Sequence, residues 1–351
     1  MSIDQIISVA RKAQASDIHI TSGMDMRFRI NGSLVMAPFQ LTPEEEEGMI
    51  LGLLNKKQLE EYENGNDLDF VLKTLDGNRQ RVNVFRQQNE PAATIRLLNQ
   101  KIPTIEELNL PSVLRKLVEE RRGLILVTGP TGSGKTTTLA SLIQYINETR
   151  ADHIITIEDP IEYTYENRMS LIHQREKGRD VQSYSSALRS ALREDPDIIL
   201  VGEMRDYETI SATLTAAETG HLVLSTLHTT GAAQTIDRIV DVCPGDTQNQ
   251  VRTQLAGVLK GIITQCLMPT ADEMGRIVGT EILLANDAIA NLIRENKIHQ
   301  ISSILQTNKD SGMHSLNQDL DRLVRQKQIT RDTAFLYSNY RKELMELLSI
   351  N

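Results

Sequence analysis

The 351-residue sequence predicts an α/β protein: a doubly wound core, a smaller α+β module before it and a helical region after it. Three observations carry the prediction. Gly129-Pro130-Thr131-Gly132-Ser133-Gly134-Lys135-Thr136 fits the P-loop pattern and lies between an apolar run, Leu124 to Thr128, and a helix-like run. Apolar runs bounded by loops then alternate with helical patterns, at Leu124 to Thr128, Ile154 to Ile157, Ile198 to Val201, Leu222 to Leu224 and Ile277 to Leu284. Such continuous apolar strands between helices mark a sheet buried on both faces. The residues before the P-loop are instead punctuated by hairpin turns, which fits a separate module.

In that first module, Met26 to Ile30, the turn Asn31-Gly32 and Ser33 to Met36 read as a hairpin, because Asn-Gly supplies the two positive φ values of a type I′ turn. Thr42, Pro43 and the glutamates Glu44 to Glu47 read as a helix N-terminus with Thr42 as the cap, the acids being a solvated first turn on the positive end of the dipole. Leu68 to Leu72, Asp76-Gly77 and Arg81 to Phe85 form a second hairpin, and Ala93 to Leu97 is strand-like. The module spans 1–100. Pro103 and Pro111 bracket a short polar segment, 101–111, that continues neither a strand nor a long helix and reads as a linker. The core is assigned to 112–285. A helical region follows over 286–351, where Leu316, Leu320, Leu323 and Val324 share one face.

Composition narrows the function. With 40% hydrophobic and 24% charged residues the chain has the make-up of a globular protein. No apolar run approaches the ~18 residues that suggest a membrane span, and no hydrophobic segment follows Met1-Ser2-Ile3-Asp4, so a cytoplasmic location is expected. Cys243 and Cys266 form no C-x-x-C pair and read as two reduced thiols, without zinc. A net charge of −9 and a pI near 5.4 argue against a surface that neutralises many phosphates, and aromatic residues at 4%, with no Trp, leave few platforms for bases. No nucleic-acid partner is expected.

The P-loop calls for a nucleoside triphosphate. A strand that stops at a Gly-rich turn and restarts as a helix aims backbone N–H groups at one point, where a β-phosphate sits on the positive helix end. Gly129, Thr131, Gly132, Ser133, Gly134, Lys135, Thr136 and Thr137 are the expected binding residues. Lys135 reaches the β- and γ-phosphates in this reading, and Thr136 holds Mg²⁺. Ligands belong at the carboxyl ends of the strands, where the other runs lead into Glu158-Asp159-Pro160-Ile161-Glu162, Gly202-Glu203-Met204-Arg205-Asp206 and Ser225-Thr226-Leu227-His228-Thr229. Transfer of a phosphoryl group to water needs a carboxylate that orients or deprotonates the water. Glu203 stands where that acid belongs, and Gly202 replaces the metal-side Asp usual before it, so Mg²⁺ must rely on Thr136, water and other acids. Glu158, directly after an apolar strand, is the first of these, a possible ligand through water. Asp159 and Glu162 fit either that role or a solvated loop. His228, between Thr226 and Thr229 and beside the P-loop strand, is expected to sense the phosphate, whereas His221 should lie at the opposite end of the sheet.

Taken in this order, GPTGSGKT, ITIEDPIEY, ILVGEMRD and GHLVLSTLHTT resemble the secretion ATPase superfamily that powers type II secretion and type IV pili, the last three matching its Asp box, Walker B and His box. Within it the chain is similar to the pilus retraction ATPases. Its short N-terminal module starts at residue 1, it lacks the four-cysteine zinc insertion, and Ala288-Ile-Ala-Asn-Leu-Ile-Arg-Glu295 is close to their AIRNLIRE motif, with Ala290 in place of the arginine. The resemblance covers essentially the whole chain. It implies a RecA-like ATPase core, a PAS-like N-terminal domain, ATP and Mg²⁺ as ligands, and a homohexamer that couples hydrolysis to work on an inner-membrane pilus platform protein, peripheral to that membrane. It also implies that Arg81, in RVNVFRQ, and Arg96, in TIRLL, serve the γ-phosphate, and that Glu158 and Glu162 belong to the catalytic acids. Pilus assembly or type II secretion shares all this chemistry. A RecA-like nucleic-acid translocase and a non-hydrolysing nucleotide-gated scaffold are the readings from other classes.

Overall fold

A computed structural model describes all residues except 31, 76, 99–100, 308–310 and 350–351. The chain divides into two compact units, Met1–Lys101 and Ile102–Asn351.

The first unit runs α1 (Ile3–Lys12), β1 (Asp17–Thr21), β2 (Met24–Ile30), β3 (Ser33–Met36), α2 (Pro43–Gly52), α3 (Lys56–Glu63), β4 (Leu68–Lys73), β5 (Arg79–Gln87) and β6 (Glu90–Leu97). Its strands pair antiparallel in the order β3-β2-β1-β6-β5-β4. Alternation sends Ile18, Phe28, Val82, Val84 and Ile95 to one face, where they bury against Ile6 and Ile7 of α1 and Ile50 of α2. Both hairpins form as the sequence predicts, with Gly32 and Gly77 at positive φ; Asn31 and Asp76 of the same turns lie outside the described residues. Thr42 caps α2 in a reciprocal capping box with Glu45.

The second unit contains α4 (Val113–Val118), β7 (Gly123–Thr128), α5 (Lys135–Thr149), β8 (His153–Glu158), β9 (Leu171–Glu176), α6 (Tyr184–Ala191), β10 (Ile198–Val201), α7 (Tyr207–Glu218), β11 (Leu222–Leu227), α8 (Ala232–Asp241), α9 (Gln248–Val258), β12 (Leu259–Pro269) and β13 (Arg276–Leu284). Helices α10 (Asp287–Arg294), α11 (Ile301–Thr307), α12 (Leu316–Arg325), α13 (Arg331–Tyr337) and α14 (Arg341–Ser349) complete it. The sheet order is β13-β12-β7-β11-β10-β8-β9, parallel except for the β12–β13 pair. Two hydrophobic clusters cover its faces, one with Leu126, Ile157 and Val201, the other with Ile125, Val127 and Ile154. The doubly wound core is therefore present, with two differences from the sequence reading. The run Ile277 to Leu284 is an antiparallel hairpin partner rather than a parallel strand, and it pairs with β12, which the sequence reading omits. The segment read as a linker, 101–111, sends Ile105 and Leu110 into the core of the second unit.

In α12, Leu316, Leu320 and Leu323 are buried, and they pack with Met268 of β12 and Leu344 of α14. Among the described residues no helix is long and apolar enough to cross a membrane.

Candidate functional site

Strand β7 ends at Thr128, and the chain turns through Gly129, Gly132 and Gly134, all at positive φ, before α5 begins at Lys135. A side chain at Gly129 would collide with the Gln265 carbonyl and the Ser133 hydroxyl, so glycine is required there on two counts. Gly134 caps α5 without any side-chain hydrogen bond, which leaves the first-turn N–H groups of this helix to an outside acceptor. The Ser133 hydroxyl is buried with no partner. An uncapped helix start behind a glycine turn is the donor set that polyphosphate requires, so the residues present fit the nucleotide.

Lys135 donates to the carbonyls of Gly129, at 2.8 Å, and Pro130, at 3.0 Å. Burial lowers its pKa, with Glu203 opposing the shift. The ammonium folds back on its own loop. Thr137, expected among the binding residues, shares its hydroxyl with Tyr163 at 3.1 Å.

The strand order places β11 beside β7 and β10 beside β11, and their carboxyl ends supply His228 and Glu203. Glu203 follows β10, pairs with the exposed Arg205, and lies 3.4 Å from Nε2 of His228 at the end of β11. Burial lowers the His228 pKa, and Lys135 and Arg205 add to that while Glu203 opposes it. The P-loop lysine, Glu203 and His228 thus form one electrostatic group. The threonines flanking His228 are engaged elsewhere: Thr226 donates to the Gly202 carbonyl at 2.6 Å, and Thr229 bonds Thr235 of α8 at 2.6 Å. They fix the backbone around His228.

Glu158 is buried at the end of β8 and accepts from Thr156 at 2.6 Å and Gln174 at 3.2 Å. Asp159 pairs with Lys177 at 2.8 Å, and Glu162 is half-buried in the following loop beside Tyr163. Gly202 has a physical reason here: a Cβ would lie 2.9 Å from the Tyr184 hydroxyl and 3.2 Å from the Ile157 carbonyl. Tyr184, whose own pKa is raised by burial and by Asp159, Glu203 and Glu158, occupies the space beside the acids.

Three participants escape sequence reasoning. Gln265 of β12 donates to the Ser133 carbonyl at 2.6 Å, and Thr264 bonds Thr128 at 2.8 Å, so the omitted strand braces the P-loop from below. Arg205 holds Glu203 and is signalled only by its place two residues on. In the first unit, Arg81 and Arg96 stand directly opposite each other on β5 and β6, Arg81 paired with Asp69 at 2.6 Å and Arg96 with Asp17 at 3.0 Å.

A P-loop at the end of a buried parallel sheet, with a carboxylate and a histidine on the neighbouring strand ends, defines a nucleotide-hydrolysing site. The model of the family of type II/IV secretion system proteins matches residues 1–345, and the chain belongs to that family. It is 48% identical to the twitching motility protein of Neisseria gonorrhoeae, over 93% of this chain and 89% of the relative. It is 45% identical to the type IV pilus retraction ATPase PilT of Pseudomonas aeruginosa, over 95% and 97%. A crystal structure of the pilus retraction motor PilT with bound ADP superposes with a TM-score of 0.91 at 46% identity, covering 99% of both chains.

Proposed function

We propose that this protein is a motor that hydrolyses ATP to drive type IV pilus retraction, working as a homohexamer on an inner-membrane platform protein from the cytoplasmic face. The grouping of Lys135, Glu203 and His228 around an uncapped helix start carries the chemistry, and the likeness to PilT over the whole chain carries the biology. The amides of the first turn of α5 and the loop cradle the phosphates. Lys135 exchanges the carbonyls of Gly129 and Pro130 for phosphate oxygens. Glu203, released from Arg205, takes the proton of the attacking water, and His228 reads whether the γ-phosphate is present. Magnesium would be held by Thr136 and, through water, by Glu158, and it would neutralise charge on the β- and γ-phosphates. Arg81 and Arg96 are assigned to the γ-phosphate on the resemblance alone.

Glu203→Gln tests the chemistry. It keeps the shape of the site and removes the base, so ATP binding persists and steady-state hydrolysis is lost. Normal turnover in that variant overturns the assignment.

A further inference from the structure

Glu281 is a half-buried carboxylate inside the second unit, and the mechanism above does not use it. It sits on β13 opposite Thr264 of β12, which in turn sits opposite Thr128 of β7 and is bonded to it. Directly opposed residues share a face of the sheet, so a polar row runs from the root of the P-loop to Glu281. At the far end of that row the carboxylate accepts the amide of Ala232, the first residue of α8, at 2.8 Å, and the amide of Leu316, the first residue of α12, lies close enough to favour its charged form, while the amide of the preceding β13 residue, Thr280, donates to Asp319 of α12 at 2.8 Å. Gly231 gives α8 no side-chain cap, so Glu281 supplies one from another strand. Desolvation raises the pKa of this carboxyl, and the two helix starts oppose that shift by favouring its charged form.

The two helices belong to different parts of the unit. Helix α8 begins where the loop from His228 ends, and α12 is the central helix of the C-terminal group. The loop itself has little freedom. Thr229 is bonded to Thr235, Asn339 beyond α13 donates to the Thr230 carbonyl at 2.9 Å, and Ala232 is held by Glu281. A displacement of His228 therefore moves the first turn of α8, and that turn meets the start of α12 at the Glu281 end of β13. Asn317, next to Leu316, continues the connection by donating to the Tyr340 carbonyl and to Glu343 of α14.

We propose that Glu281 is a positioning residue that transmits occupancy of the nucleotide site from the His228 loop to the C-terminal helices, with Asn339 as a second tie. The proposal rests on the ATPase reading of the site. In Glu281→Gln one of the two amides faces an NH₂ group instead of an oxygen, so one helix start loses its acceptor while the volume stays the same.

Amide hydrogen exchange of the full chain with ADP and with a non-hydrolysable ATP analogue tests it. In the native protein residues 229–233 and 315–320 change together between the two nucleotides. In Glu281→Gln the first segment still responds and the second does not, with kcat lowered by about 2- to 30-fold, the range of such couplings, and KM for ATP within twofold or so of the native value. A residue that only held the fold together would lower the unfolding temperature and leave the linked response in the folded fraction. An unchanged response of 315–320 in the variant, or none in the native protein while 129–137 responds to nucleotide, overturns the coupling. No response of 129–137 to either nucleotide would instead overturn the ATPase reading. If Glu281→Gln fails to fold, Asn339→Ala, whose side chain is at the surface, must weaken the 315–320 response, and an undiminished response refutes the proposal.

Discussion

Replacing Gly202 by alanine places a methyl group 2.9 Å from the Tyr184 hydroxyl and 3.2 Å from the Ile157 carbonyl, where ordinary contacts begin near 3.4 Å. The backbone here is not at positive φ, so the cost is steric. The carbonyl belongs to β8, which is paired on both sides, and it accepts from the Gly202 amide at 2.8 Å, which leaves the phenol as the group that yields. Overpacking of this kind costs about 1–3 kcal/mol. Tyr184→Phe removes the closest atom and leaves a ring carbon at 3.4 Å as the nearest part of that side chain. The carbonyl contact stays, so about half of the cost is recovered in Gly202→Ala/Tyr184→Phe. Urea unfolding of the native protein, both single variants and the double variant gives the interaction as a double-mutant cycle. The two changes should couple by about 0.5–1.5 kcal/mol in the direction of rescue. Additive single effects would refute the claim that the tyrosine is the reason for glycine at this position.

Three further outcomes are expected. Arg81→Ala and Arg96→Ala each remove a partly exposed ion pair, so stability falls by no more than about 1 kcal/mol, while hydrolysis falls by about 10³-fold or more if they serve the γ-phosphate; turnover within a few-fold of native makes them ordinary sheet residues. Gln265→Leu strips the Ser133 carbonyl of its donor and should lower stability by about 1–3 kcal/mol, together with weaker ATP binding; unchanged affinity would separate β12 from the P-loop. Burial pushes His19, His228 and His314 below the ordinary value of 6.5, so the unfolded chain binds more protons and stability declines as pH drops below 6.5. His314→Gln should flatten that decline in urea unfolding across the acid range, and an equally steep decline would contradict it.

The sequence carried what is local. The P-loop, the Thr42 cap and the two hairpins are each specified by residues within a few positions of one another, and strand–turn–helix context made the nucleotide site readable. Glu203 and His228 stand out as candidates because a parallel sheet delivers its strand ends to one edge. Strand β12 is not legible because Lys260, Gly261, Thr264 and Gln265 break up the continuous apolar run that marks the other core strands. Those interruptions are functional: a Cβ at Gly261 would meet Leu117 at 2.9 Å, and Gln265 braces a loop more than a hundred residues earlier in the chain. Edge strand β9, with His173, Gln174 and Arg175 in sequence, carries too little apolar signal. Tyr184 and Glu281 act through neighbours from other elements, and no spacing in the sequence announces either contact.

Hydrolysis at this site should be what retracts the pili. Labelled pili are imaged on living cells of the source organism that lack the gene and receive either the native chain or Glu203→Gln. Long, numerous pili that shorten only with the native chain are expected. Bald cells without the gene would make the protein an assembly ATPase, and pili that shorten normally with Glu203→Gln would show that hydrolysis at this site does not drive retraction.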